Sequence, residues 1–82
     1  MLIMLGDDLA VDPRRIAGVS IEPWGLTSDG RAAFRGKVFL VGVHGYGAVR
    51  VFSPPQGVTG TVELVRYITE RAKDARRVWH DR

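Results

Sequence analysis

Fifteen residues constrain this chain more than any others: VFLVGVHGYGAVRVF, residues 38–52, in which two apolar runs flank His44-Gly45-Tyr46-Gly47. Val38 to Val43 and Ala48 to Phe52 are rich in β-branched and aromatic residues, which pack well on a pleated surface. Gly45 at the first central position of a two-residue turn suits type II′ geometry, and a four-residue loop serves equally well. A phosphate-cradling loop would need a following helix with its N–H groups aimed at the anion. Here a strand follows, so the stretch is predicted to be a β-hairpin. Pairing about the bend sets Phe39 opposite Phe52, Val41 opposite Arg50 and Val43 opposite Ala48. The other face receives Val38, Leu40, Val49 and Val51. Both faces are then largely apolar, whereas a sheet with one wet face alternates apolar and polar residues.

A cover for one face is legible downstream. Ser53-Pro54-Pro55-Gln56-Gly57 reads as a linker stiffened by its prolines. Thr59 or Thr61 can cap a helix running to about Trp79. Leu64, Val65, Ile68, Ala72, Ala75 and Trp79 recur at spacings of three and four, forming one apolar stripe. Glu63 in the first turn and Arg76 and Arg77 in the last suit the helix dipole. One helix covers one side of the sheet, and the other side carries Phe39, Val41, Val43 and Phe52, with Trp24 beside them. An exposed apolar patch marks an interface, and a self-complementary two-fold contact is its commonest occupant. A homodimer is therefore expected, with residues 24–36 or a foreign protein as the other possible covers.

Upstream, Leu2 to Leu5 reads as a short strand and Gly6-Asp7-Asp8 as a turn before Leu9-Ala10-Val11. Asp12-Pro13 starts one helical turn, because proline fits the first helical position. Ala17, Val19 and Ile21 then alternate with Gly18, Ser20 and Glu22 as in a half-buried strand. Pro23 should end regular pairing, having no N–H to donate. Residues 24–36 contain a turn at Ser28-Asp29-Gly30 and read as either strand extensions around it or a mobile loop.

The chain has 82 residues and no cysteine, which predicts one small domain without disulfides or thiolate metal sites. MLIML is too short for a signal-peptide core or a membrane span, so a cytoplasmic location without membrane association is expected. Net charge is +3, yet residues 1–60 hold six basic and five acidic side chains and residues 61–82 hold six and four, so no block of one sign exists. Ten of the twelve basic residues are arginine. With ten glycines, that skew is the codon signature of a GC-rich genome, such as that of an actinobacterium or one of its phages. A phage origin would make a host protein a possible partner.

Chemistry-bearing constellations are sparse. His44 and His80 fall short of the three or four ligands zinc takes. Ser20, Ser28 and Ser53 lack the context of an activated nucleophile. Asp7 and Asp8 read as turn formers. No catalytic residue, metal or cofactor is predicted. A second reading is accessory nucleic-acid binding, with Arg31, Arg35, Lys37, Arg76 and Arg77 on phosphates and Trp24, Phe34 or Trp79 available to stack.

The order VDPRRIAGVSIE, then GKVFLV, then a strand and a Pro-marked linker leading to TVELVRYI resembles the small flagellar-associated FlbD-type proteins and similar actinobacterial and phage proteins. The match runs through Ile16, Val19, Ile21, Glu22, Val38 and Leu40, then the helix from Val62, about half the chain. The 24–36 insertion and a longer, more basic C-terminus depart from it. The resemblance implies a compact β-meander plus helix with no catalytic residues to carry over. All of this predicts an α+β domain: a mostly antiparallel sheet of three to five strands with one C-terminal helix on one face.

Overall fold

The computed structural model describes residues 1–42 and 47–80, with side chains described as far as residue 75. Ile3–Leu5 (β1) and Leu9–Val11 (β2) pair antiparallel, Ile3 opposite Val11 and Leu5 opposite Leu9. Gly6 opens their turn at φ +60°, where a side chain would be strained. A Cβ there would also lie 2.7 Å from the Ser53 carbonyl oxygen, so glycine lets this turn close against the exit of the last strand. Asp12 then caps a single 3₁₀ turn, Pro13–Arg15, its carboxylate accepting from the Arg14 N–H at 3.0 Å.

Three further strands, Ile16–Leu26 (β3), Ala32–Val41 (β4) and Gly47–Phe52 (β5), form an antiparallel meander in the order β3-β4-β5. Residues 24–36 belong mostly to it. The Thr27 N–H donates to the Arg31 carbonyl at 2.7 Å, and Gly30 takes φ +84° in the turn between. Pro23 does not end β3 as expected: it sits opposite Phe34 within the strand. β3 is an edge strand, the place a sheet tolerates a missing N–H. A register shift between Pro23 and Leu26, with Gly25 at φ +74°, then lets pairing resume. A second shift between Ile16 and Gly18 breaks the predicted alternation, so Ala17 is exposed while Ile16, Val19 and Ile21 pack on the core.

The β4–β5 register differs from expectation in a way that changes which side chains face outward. Gly36 lies opposite Phe52, Val38 opposite Arg50, Phe39 opposite Val49 and Val41 opposite Gly47. The pairing is displaced by three residues, because the connection takes residues 42–46 rather than a tight turn. An odd displacement moves every side chain of β5 to the other face. The physical reason lies at Gly36. Its missing side chain is where the Phe52 ring rests, 2.6 Å from where a Cβ would stand, so the ring fills the core from the last position of β5. Phe39 at that position would force Phe52 outward.

The chain closes with α1 (Thr61–His80). The Leu64 N–H donates to the Gly60 carbonyl at 2.9 Å, which puts Gly60 rather than either threonine at the cap. Leu64 is fully buried, Ile68 is buried, and Ala72 and Ala75 are half-buried, as the stripe predicts. Val65 is instead exposed, and Tyr67 takes its place against the core. The helix is tied to the first hairpin by two polar contacts. The Gly6 N–H donates to Tyr67 Oη and Arg71 Nε donates to the Met4 carbonyl, each at 3.3 Å. Ile3, Leu5, Val11, Val38, Phe52, Leu64 and Ile68 form the core between β1–β2, the inner face of the meander and α1. The fold is α+β, the five strands among the described residues divided into a two-stranded and a three-stranded antiparallel sheet.

Candidate interaction face

One side of the meander faces the core and the other faces solvent. Strand alternation puts Phe39 and Val41 of β4 beside Val49 and Val51 of β5 on the outer side. These four side chains are contiguous, and each exposes between 40% and 51% of its surface. With α1 packed on the inner side, no described residue covers this apolar group.

The same face has a polar end, built where β3 and β4 run on together. Glu22 lies opposite Arg35. Its carboxylate accepts from Arg35 Nε through one oxygen and contacts Lys37 Nζ at 3.0 Å through the other. The Arg35 guanidinium also lies over the Trp24 ring, 3.6 Å from its centroid, a geometry in which cation and π-face attract. Lys37 and then Arg35 hold the Glu22 carboxyl below its ordinary pKa. The outer face therefore reads from a half-neutralised aromatic and ionic cluster at one end to a bare apolar surface at the other.

Of the residues expected at this face, Phe39, Val41 and Trp24 are there, Trp24 at 60% exposure. Phe52 is not: it is 3% exposed and belongs to the core, a consequence of the register. Val43 lies outside the described residues. Val49 and Val51 take the place of Phe52, on the face opposite to the one that spacing alone assigns them. The signal that could have located them is the pairing of an isolated glycine, Gly36, with a large ring. Glu22 was also missed as the partner of two cations, since its strand register had to be known first.

Of the cations proposed to meet nucleic acid, the three whose side chains are described each face a carboxylate. Arg31 sits in the β3–β4 turn, 3.4 Å from Asp29, while Arg35 and Lys37 share Glu22. The side chains of Arg76, Arg77 and Trp79 lie outside the described residues, as do His44 and the His80 side chain. Among the described residues no group of three or more His, Cys, Asp or Glu side chains converges, and no helix is long and apolar enough to cross a membrane. A groove of about 440 Å³ runs between the 3₁₀ turn, β3 and α1, with Arg14, Thr69 and Lys73 as its polar side chains. Comparison of the chain with protein-family models, with curated proteins and with solved structures finds no match.

Proposed function

We propose that this protein is a non-enzymatic protein–protein interaction module that self-associates through the outer face of its three-stranded sheet. The observation that carries the proposal is the contiguous exposure of Phe39, Val41, Val49 and Val51 on a sheet face with no covering element among the described residues. Contiguous apolar surface of this kind is where partners bind. A two-fold contact between identical faces matches apolar surface to apolar surface by construction. The Trp24–Arg35–Glu22–Lys37 cluster then serves as a polar rim. Rim charges of this sort select orientation more than they add affinity.

Replacing Phe39 or Val51 with aspartate tests the reading. Both side chains are already half in water, so the fold should survive while association is lost. Retained association in both variants would remove the outer face from the account. A second reading, nucleic-acid binding through Arg31, Arg35 and Lys37, has the stacking geometry of Arg35 on Trp24 in its favour. Its counterweight is that each of these cations already faces a carboxylate. Binding of a duplex or single strand that weakens steeply with salt would support it. The phage or actinobacterial origin suggested by arginine usage adds a host protein as a further candidate partner.

A further inference from the structure

We infer that the outer edge of β5 takes an extended segment of another protein chain, one in which apolar residues flank a carboxylate. The two edges of the meander differ. β3 is guarded in its second half, where Pro23 and the bulged, positive-φ Gly25 interrupt it. Proline, bulges and covering elements are the ordinary means of blunting an edge against foreign strands. Among the described residues β5 has none of them along Gly47–Val51, the turn at Gly6 meeting it only at its last residue, Phe52, and at Ser53. Its residues Gly47–Phe52 contain no proline, run through six consecutive pairs with β4 without a shift, and pair with β4 alone. Among the described residues no backbone hydrogen bond from outside its sheet reaches it. A row of unpaired N–H and C=O groups on a regular strand is a template for strand addition.

Charge selects the occupant. The other two cations within the sheet strands, Arg35 and Lys37, share Glu22. Arg50 is exposed on the edge strand and has no carboxylate partner among the described residues. A strand added to β5 places one residue directly opposite Arg50, where an acidic side chain completes a cross-strand ion pair. Its neighbours fall beside Val49 and Val51 and extend the apolar outer face. A second β5 fits less well. Antiparallel two-fold pairing centred on Arg50 sets two guanidinium groups opposite each other. Centring on Val49 leaves them a diagonal apart, within roughly 7–8 Å.

The test uses the isotope-labelled full chain and two blocked peptides, Thr-Val-Glu-Val-Thr and Thr-Val-Lys-Val-Thr, titrated while backbone amide resonances are followed. The Glu peptide should shift and protect the amides of Gly47–Phe52 and bind roughly five- to tenfold more tightly than the Lys peptide. Arg50→Glu, a change at an exposed position, should reverse that preference. Absence of shifts in β5 with either peptide at millimolar concentration overturns the inference, as does a preference that Arg50→Glu leaves unaltered. Protection of the same amides without peptide, growing with protein concentration and persisting in Phe39→Asp, would assign the edge rather than the outer face to a second copy and also overturn it. Self-association through the outer face is read separately, from the mass in solution of the parent chain and of Phe39→Asp, so either proposal can fail alone.

Discussion

Gly36 and Phe52 offer the sharpest test of the register that decides which side chains face solvent. A methyl at Gly36 would stand 2.6, 2.8 and 3.1 Å from three atoms of the Phe52 ring, and the ring is itself packed in the core at 3% exposure. Overpacking of that kind costs about 1–3 kcal/mol. Replacing glycine in a strand returns about 0.5–1 kcal/mol of backbone entropy. Gly36→Ala should therefore destabilise by about 1–2 kcal/mol, lowering Tm by roughly 4–8 °C per kcal/mol in a chain of this size. Phe52→Leu withdraws the ring atoms that collide. In that background Gly36→Ala should be neutral or mildly stabilising, a coupling of at least about 1 kcal/mol between the two positions. Urea denaturation of the four chains in the cycle, followed by far-ultraviolet circular dichroism, measures it. An equal effect of Gly36→Ala in both backgrounds would show that Phe52 does not lie over Gly36. The exposed set Phe39, Val41, Val49 and Val51 would then have to be redrawn.

Two further outcomes follow from the same geometry. Leu64 is fully buried and Val65 is 46% exposed, so Leu64→Ala should cost about 2–5 kcal/mol and Val65→Ala less than about 1; equal costs in thermal melts would contradict the helix orientation. The Arg14 side chain and backbone lower Asp12 from its ordinary 3.8 to about 2, and Lys37 and Arg35 lower Glu22. Both groups hold protons more weakly folded than unfolded. Their contribution is thus present above the ordinary carboxylate range and is lost as pH falls toward 2. Stability should decline through acid pH in the parent chain and decline less steeply in Asp12→Asn with Glu22→Gln, and identical profiles would refute the pairing.

Much of the architecture was legible because local chemistry and tertiary structure agree. Asp12-Pro13 specifies a 3₁₀ turn by itself, Gly6-Asp7-Asp8 a hairpin turn, and the spacing of Leu64, Ile68, Ala72 and Ala75 a helix face. Failures cluster where a long-range choice decides. The β4–β5 register depends on whether five residues or fewer make the connection, and no residue in 42–46 states that. A shift of three then exchanged Phe52 with Val49 and Val51, leaving the idea of an exposed apolar face intact and altering its membership. Pro23 reads as a terminator unless its strand is known to lie at the edge, which only the strand order shows. The Glu22 cluster and the solitary position of Arg50 required knowing which strands are neighbours, which spacing along one strand does not reveal.

The account rests on a second copy occupying the outer face, and the mass in solution tests that most directly. Light scattering on a sizing column, run over a range of concentrations, should give a mass near twice the 9.1 kDa of the chain at the higher loadings and a lower one on dilution. A mass of 9.1 kDa at every concentration would contradict it.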